Sequence, residues 1–264
     1  MDITRRRALY LASLSGLATF ATTPTVLAKR YKPNSLKKGW GGTNTDYHEL
    51  FKVSWYYNWQ PASNVRTQAE FVPMIKSGGN VNGGAFGKVG NARKATALLG
   101  FNEPEREKQG NLSVEEALEL WPKLEKLAKK ERLLLGSPAP SSDQGGKKWF
   151  EAFMKEAKVR KYRIDFIAYH WYRGYKIQDF KKSLTRIADT HERKIWLTEF
   201  HGGYVGGNEK LHANFLTAAL KFMEESPIIE RYAYFNPKPS VKTSLFTKDG
   251  ELTKLGKIYQ AGGE

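Results

Sequence analysis

The sequence predicts an α/β fold in which a single (β/α)8 barrel of the TIM type forms the one large domain. At 264 residues with 40% hydrophobic side chains, the chain can bury one sizeable core. Short apolar runs alternate with helix-like segments along most of its length, which is the pattern of a parallel sheet covered by helices. Residues 29–264 show no internal repeat and no linker, so we expect one domain there.

The predicted strands are short runs of β-branched, aromatic and aliphatic residues. In chain order they cover residues 51–57, 70–75, 97–102, 132–137, 164–170, 194–199 and 231–236. A closed barrel needs an eighth strand, and we expect it in a degenerate strand and helix unit within the Gly- and Asn-rich stretch 77–91. Residues 29–48 are predicted to form an irregular approach to the first strand.

Capping and periodicity mark two helices clearly. Ser113 and Glu116 have the spacing of a capping box at the start of the first. The apolar residues of this helix then fall on one face: Leu118, Trp121, Leu124 and Ala128. Pro122 lies within the pattern and is expected to kink or split the helix. The second helix covers 209–225, where a stripe of large apolar residues at helical spacing predicts a buried face.

The amino terminus has the pattern of an export signal. Arginines at 5–7 precede an apolar stretch from Ala8 to about Ala21, and Val26-Leu27-Ala28 supplies small residues for cleavage. The apolar stretch is shorter than the roughly 20 residues of a membrane span. Consecutive arginines favour the twin-arginine route, with ordinary secretion and an uncleaved anchor as alternatives. We therefore expect removal of residues 1–28 and a periplasmic or extracellular mature protein.

The chain is strongly basic, with 43 Lys and Arg against 27 Asp and Glu. Loss of residues 1–28 removes three arginines and one aspartate and leaves a net charge of +14. The lysines lie on helix-like faces without a nucleic-acid-reading motif, so we expect no specific nucleic-acid partner. The simplest explanation of the positive charge is that these lysines lie on solvent-exposed helix faces. The alternative is electrostatic association of the protein with an anionic cell envelope. The lack of cysteine excludes disulfides, a cysteine nucleophile and zinc-thiolate sites.

Two glutamates stand at the ends of predicted buried strands. Glu103 follows the run 97–102, and Glu199 ends the run 194–199. Burying a carboxylate without partners costs several kcal/mol, so acidic residues at the ends of buried strands indicate a catalytic role. The carboxyl ends of barrel strands meet at one mouth. A retaining glycosidase needs two carboxyls about 5–5.5 Å apart, one protonated to serve the leaving oxygen and one ionised to attack the anomeric carbon. The pair therefore predicts a glycosidase.

Other residues at the predicted strand ends are candidates for binding the sugar. They are Asn102, His170, Trp171, Tyr172, Tyr234, Trp55 and Trp59. Aromatic rings can stack on the apolar faces of sugars, and imidazole and hydroxyl groups can hydrogen-bond a carboxylate. Packing in the core is the competing explanation for the aromatic residues. The five histidines lack metal-ligand spacing and no Gly-x-Ser-x-Gly elbow occurs, so we expect no metal and no cofactor.

Five ordered blocks resemble glycoside hydrolase family 128. They are Ser-Trp-Tyr-Tyr-Asn-Trp at 54–59, Phe-Val-Pro-Met at 71–74, the Asn-Glu-Pro block at 98–105, and the blocks at 165–172 and 195–200. The resemblance implies a retaining barrel that hydrolyses β-1,3-glucan, with Glu103 as acid/base and Glu199 as nucleophile. We therefore expect a monomeric endo-β-1,3-glucanase whose partner is a polysaccharide. The same chemistry on another glycan, such as an anionic one, and a noncatalytic glycan-binding envelope protein are the alternatives.

Overall fold

In the computed structural model of the protein, residues 31–92 and 94–263 are described. The strands are β1 Lys38–Gly41, β2 Trp55–Tyr57, β3 Glu70–Phe71, β4 Ala97–Leu98, β5 Leu134–Leu135, β6 Ile167–Trp171, β7 Ile195–Phe200 and β8 Ile229–Tyr234. The helices are α1 Thr45–Leu50, α2 Gly78–Asn82, α3 Phe86–Val89, α4 Val114–Glu131, α5 Gln144–Val159, α6 Ile177–His191, α7 Glu209–Glu225 and α8 Lys254–Ala261. The predicted leader lies outside the described residues, and none of the helices just given is both long enough and apolar enough to cross a bilayer.

The strands form one closed parallel ring. Six of them lie in the order β3-β2-β1-β8-β7-β6, and β4 pairs with β5. Single parallel bridges close both gaps. Met74 pairs with Leu99 just beyond β3 and β4, and Gly136 pairs with Phe166 between the β5 and β6 segments. The predicted (β/α)8 barrel is therefore confirmed, and the carboxyl ends of its strands share one mouth.

The eighth strand is β1, Lys38–Gly41, and the prediction that placed it within 77–91 is wrong. The stretch 77–91 contains the short helices α2 and α3 instead. The sequence hides β1 because two of its four residues are glycine, which strands disfavour. Packing requires one of them: a Cβ on Gly39 would lie 2.2 Å from the indole of Trp55 on the neighbouring strand.

Lys38 is fully buried within β1, which is rare for lysine. Its ammonium group donates to the carbonyl oxygens of Gln260 (3.2 Å) and Gly262 (2.6 Å) at the end of α8. It also stands 5.0 Å from the centre of the Tyr259 ring. The carboxyl end of a helix carries a partial negative charge, so these carbonyls stabilise a buried cation. The last helix is thereby held against the first strand.

Side chains along each strand alternate between the barrel interior and the layer of helices. The interior cluster contains no helical residue; it consists of Trp55, Tyr57, Val72, Met74, Ala97, Leu99, Ala139, Phe166, Ala168, Trp196 and Ala233. The larger cluster packs the outer faces of the strands against the helices. This alternation decides which side chains at the strand ends can reach the mouth.

Helix α4 begins with the predicted capping box. The Ser113 hydroxyl accepts from the Glu116 N–H (3.2 Å), and the Glu116 carboxylate accepts from the Ser113 N–H (2.8 Å). The second predicted helix, 209–225, is α7. Pro122 does not split α4, which continues through it to Glu131.

The carbonyl of Leu118 receives a substitute for the hydrogen bond that Pro122 cannot give. Proline lacks the N–H that would donate to the residue four positions earlier. The Tyr162 hydroxyl donates to Leu118 O at 3.1 Å instead. The contact with Tyr162 therefore allows the helix to continue through the proline, and no local pattern in the sequence predicts this contact.

We expect Tyr162→Phe to lower the free energy of unfolding by about 1–3 kcal/mol, because it leaves the carbonyl of the buried Leu118 without a partner. Urea denaturation followed by circular dichroism measures the loss. Tyr47→Phe is the matched control, since the Tyr47 hydroxyl makes no hydrogen bond within the described residues while its ring packs on Phe246. Equal effects of the two substitutions would contradict this account of α4.

Candidate active site

Glu103 stands at the mouth, directly after the bridge that pairs Asn102 with Ala139. Its backbone is left-handed, with a φ of 39°. Such a conformation costs a non-glycine residue roughly 1–3 kcal/mol and is typical of functional sites. Backbone hydrogen bonds hold it: its N–H donates to Ala139 O (2.7 Å), and its carbonyl accepts from Arg106 N (3.0 Å) and Gly110 N (3.3 Å). The side chain remains 15% exposed.

Glu199 reaches the same mouth because strand β7 is irregular. Trp196 packs in the barrel interior and Leu197 in the helix layer, so strict alternation would turn Glu199 outward. The pairing of β7 with β6 passes over Thr198 and sets His170 opposite Glu199. This irregularity acts as a β-bulge, which re-aims the side chains that follow it. Glu199 therefore faces inward.

His170 lies between the two glutamates and is fully buried. Its Nδ1 is 3.2 Å from Glu103 Oε1, with hydrogen-bond geometry, and its Nε2 is 3.5 Å from Glu199 Oε1 without it. One donor atom from each of the three side chains lies within 4.8 Å of the others. The two carboxyl groups are thus close enough to act on the same bond of a substrate.

Further donors converge on Glu199. The Trp59 indole N–H donates to Oε1 (2.9 Å) and the Tyr172 hydroxyl to Oε2 (2.5 Å). The Tyr57 hydroxyl lies 3.2 Å from Oε1 and 3.0 Å from the carbonyl of Thr198. Burial, aided by the charge of Glu199, raises the pKa of both tyrosines well above the ordinary value. Both hydroxyls therefore keep their protons, and the donors fix the orientation of the carboxylate.

Glu103 and His170 can exchange a proton, and the directions of their pKa shifts favour the imidazole as its holder. Burial raises the pKa of Glu103, but the hydrogen bond and charge of His170 outweigh it and leave that pKa below its ordinary value. Burial lowers the pKa of His170, but the charges of Glu199 and Glu103 outweigh it and bring that pKa above its ordinary value. The acid role predicted for Glu103 would need a raised pKa, so the direction found here differs from that expectation.

Asn102 has a buried amide oxygen that is open to a ligand. The residue is 2% exposed, and its backbone N–H donates to Lys76 O (3.0 Å). Its Oδ1 has no hydrogen-bond partner among residues 31–92 and 94–263. An unpaired buried polar atom costs roughly 1–3 kcal/mol, so a substrate hydroxyl that donates here would relieve it.

A cleft of about 430 Å³ opens beside Glu103, within the range of small-molecule sites. Besides Glu103, its lining includes Arg106, Ser141, Ser142, Asp143, Tyr172, Arg173 and Tyr204. Tyr204 belongs to the loop after β7, and its ring centre is 5.4 Å from that of Tyr172. Burial, with the charges of Glu199 and Glu103, raises the pKa of Tyr204 to about 12. Two aromatic side chains and several polar groups therefore border the acid.

A barrel mouth with two close carboxylates agrees with the family comparison. The family model described as the glycosyl hydrolase catalytic core matches residues 39–259. The chain belongs to the glycosyl hydrolase catalytic core family. The resemblance of the five sequence blocks to glycoside hydrolase family 128 is confirmed by solved structures of that family, described next.

One similar structure is a subgroup I endo-β-1,3-glucanase of family 128 from Amycolatopsis mediterranei in complex with laminaritriose. It is 30% identical, the match covers 86% of this chain and 99% of that chain, and the TM-score is 0.73. Another is a subgroup III curdlan-specific exo-β-1,3-glucanase from Blastomyces gilchristii in complex with glucose. It is 29% identical, with 87% and 100% of the two chains covered and a TM-score of 0.74.

A curated relative of this glycosyl hydrolase is alkali-sensitive linkage protein 1 from Schizosaccharomyces pombe. It is 28% identical over 237 residues, which is 83% of this chain. The match spans only 42% of the length of that relative.

Four of the predicted binding residues of this glycosyl hydrolase lie at the mouth, and three do not. Those at the mouth are Asn102, His170, Tyr172 and Trp59. Trp171 points into the helix layer because it alternates with His170 on β6, and its indole donates to Gly174 O (3.1 Å). Tyr234 likewise packs outside the barrel, and its hydroxyl donates to Thr243 O (2.6 Å). Both are core residues in this structure.

Trp55 faces the barrel interior but lies below the mouth. Its indole N–H donates to Lys37 O (3.0 Å), and its ring packs 5.5 Å from that of Trp196. Tyr57, two residues further along the same face, reaches Glu199 but was not among the predicted binding residues. Strand alternation could have found Tyr57, because residues 55 and 57 share one face.

His201 and Tyr204 were also missed. His201 is fully buried and its ring centre lies 4.5 Å from that of Tyr172. Its Nδ1 accepts from the Gly203 N–H (3.0 Å), and burial lowers the pKa of His201 to about 3. A neutral His201 therefore supports both Tyr172 and the loop that carries Tyr204. Only closeness to Glu199 in the sequence pointed to these two residues.

The glutamates and His170 also offer donor atoms that could surround a metal ion. The hydrogen bonds at Glu199 favour another use of this carboxylate. Trp59 can only donate, and its N–H already points at the oxygen that a cation would approach. The arrangement thus suits a carboxylate that reacts directly.

Proposed function

We propose that the chain is a retaining endo-β-1,3-glucanase that works by double displacement with two glutamates. The observation that carries the proposal is the spacing of Glu103 and Glu199, whose carboxyl oxygens approach within 4.8 Å across His170. Retaining glycosidases hold their carboxyls about 5–5.5 Å apart, whereas inverting ones leave about 6.5–9.5 Å for a water molecule. The β-1,3-glucanase names of the similar structures support the choice of substrate.

In the first step, Glu199 attacks the anomeric carbon while Glu103 gives a proton to the leaving oxygen. The donors Trp59, Tyr57 and Tyr172 hold Glu199 in position for the attack. A covalent glycosyl-enzyme results, and the leaving sugar departs with the proton. In the second step, Glu103 takes a proton from water, the water oxygen attacks the anomeric carbon, and Glu199 is released.

His170 is the proposed source of the proton that Glu103 needs. The two opposite pKa shifts favour His170 as the residue that carries the proton in the free enzyme. Substrate in the mouth excludes water from Glu103 and further disfavours its ionised form. The proton then crosses the 3.2 Å from Nδ1 to Oε1, which leaves a neutral imidazole and a protonated acid. Glu103 can thus act as an acid although its pKa is low before binding.

The pH profile of His170→Gln tests this proton transfer. In the wild type, activity should fall on the alkaline side as pH rises through the pKa of His170, above the ordinary 6.5. In the variant, Glu103 itself must hold the proton, and a carboxyl group ordinarily loses its proton at lower pH than an imidazole does. The alkaline limb of kcat/KM should therefore move to lower pH. An unchanged limb would exclude His170 as the proton source.

Digestion of a panel of neutral and acidic polysaccharides tests the function itself. We expect turnover of linear β-1,3-glucan, early release of oligosaccharides of mixed length, and a β-anomer as the first product in NMR spectra. If glucose were the only early product, the enzyme would be an exo-glucanase and the endo assignment would be wrong. A first product of α configuration would overturn the retaining mechanism, and binding without turnover would favour a noncatalytic glycan-binding protein.

We also propose that the protein is exported and that residues 1–28 are removed. The support is the arginine-led apolar segment at the amino terminus. Fractionation of the source cells, followed by amino-terminal sequencing of the mature protein, tests this. Full-length protein in the cytoplasm would contradict it.

A further inference from the structure

Half of the net charge lies in one segment whose two helices take no part in the proposed mechanism. Residues 144–194 hold fourteen Lys and Arg against six Asp and Glu, which is +8 of the total +16. This segment comprises α5, β6 and α6. Only the end of β6 and the residues just after it contribute to the mouth, so most of this charge lies on the two helices and their connections.

A groove runs between α5 and α6 on the outside of the barrel. It contains a cavity of about 380 Å³ whose apolar lining includes Phe150, Met154 and Ile187. A smaller cavity of about 170 Å³ adjoins it, and the two share Met154 and Lys158. The larger volume falls within the 300–1,000 Å³ of typical ligand sites. The groove is therefore deep enough to bind more than a surface ion.

Positive charge surrounds this apolar lining. The cations at the larger cavity are Lys147, Lys155, Lys158 and Arg186. The one carboxylate among its lining residues is that of Glu151, 3.8 Å from the ammonium of Lys147. Lys155 and Arg186 are exposed and take part in no hydrogen bond or ion pair in the part of the chain that the structure describes. Such a cluster raises the local concentration of anions.

We propose that the groove between α5 and α6 binds an acidic polysaccharide, one whose pyranose units carry carboxylates, at a site separate from the catalytic mouth. The apolar lining fits the C–H faces of pyranose rings, and the surrounding cations fit their carboxylates. The adjoining cavity provides for a second unit of the polymer. Bound in this way, the protein stays on an acidic matrix while its mouth remains free. The binding itself does not depend on the proposed glucanase activity.

Binding to immobilised polygalacturonate at physiological salt tests the proposal. The charge reversal Lys155→Glu with Arg186→Glu should weaken binding by about tenfold or more, since it replaces attraction by repulsion at the site. Thr190→Trp leaves the charge unchanged but fills the groove at a residue that lines both cavities, and it should weaken binding to a similar degree.

The matched control is Lys126→Glu with Lys129→Glu, the same charge reversal on the exposed face of α4. It should change binding by less than about twofold, because only salt-screened long-range attraction is lost. Equal weakening by the control, undiminished binding of Thr190→Trp, or tighter binding to duplex DNA than to polygalacturonate would each overturn the proposal. Hydrolysis of neutral β-1,3-glucan should be unchanged in all these variants, which separates failure of this site from failure of the proposed function.

Discussion

Replacement of Glu199 by glutamine should lower kcat on β-1,3-glucan by about 10⁴-fold or more, a loss comparable with removal of a catalytic nucleophile in other hydrolases. Glutamine keeps the shape of the side chain but cannot form the glycosyl-enzyme. Each tenfold loss corresponds to about 1.4 kcal/mol of activation free energy, so the expected change is about 5.5 kcal/mol. The release of reducing ends over long incubations measures the residual rate.

The fold should survive this substitution. The Tyr172 hydroxyl at Oε2 can accept a hydrogen bond as well as donate one, so it can pair with an amide nitrogen. Trp59 can still donate to the amide oxygen. Glu107→Gln is the matched control, since Glu107 is an exposed glutamate in the loop that follows Glu103. It should retain full activity. Residual turnover of Glu199→Gln within tenfold of the wild type, with an unchanged melting temperature, would contradict the nucleophile role.

The sequence predicted the barrel and singled out both acids because strands, helices and a carboxylate at a strand end each leave a local pattern. Apolar runs and capping signals mark strands and helices wherever side chains decide the structure. The acids stand out because a carboxylate at a strand end is costly. The local pattern fails at β1, where tertiary contacts decide the structure. Gly39 packs against the indole of Trp55, and Lys38 bonds to carbonyls at the end of α8.

The binding residues were predicted less well, for a reason of geometry. Adjacent strand residues face opposite sides, so His170 and Trp171 could not both reach the mouth. Because residues two positions apart share a face, this alternation would have placed Tyr57 at the mouth and excluded Trp171. The same alternation would have excluded Glu199, because only the irregularity at Thr198 turns it inward. A bulge of this kind depends on pairing with neighbouring strands, which a single sequence does not reveal.

Replacement of Glu103 by alanine should separate the two carboxyl roles. On β-1,3-glucan the loss of general acid catalysis should reduce kcat by about 10²–10⁴-fold. An aryl β-glycoside with a good leaving group needs little protonation, so its glycosyl-enzyme should still form at a near-normal rate and then accumulate. A burst of the released phenol, followed by slow turnover, is the expected kinetic signature.

Azide distinguishes an acid/base from a nucleophile by the product that it yields. In Glu103→Ala, azide should accept the glycosyl group from the intermediate on Glu199, restore turnover and give the β-glycosyl azide. In Glu199→Ala, azide can only attack the substrate from the face that Glu199 occupied, and the α-glycosyl azide should form. These opposite configurations follow because azide attacks the glycosyl-enzyme from the side of Glu103 and the intact substrate from the side of Glu199. Exchange of the two products would reverse the roles, and a lack of rescue in both variants would remove the support for a covalent intermediate.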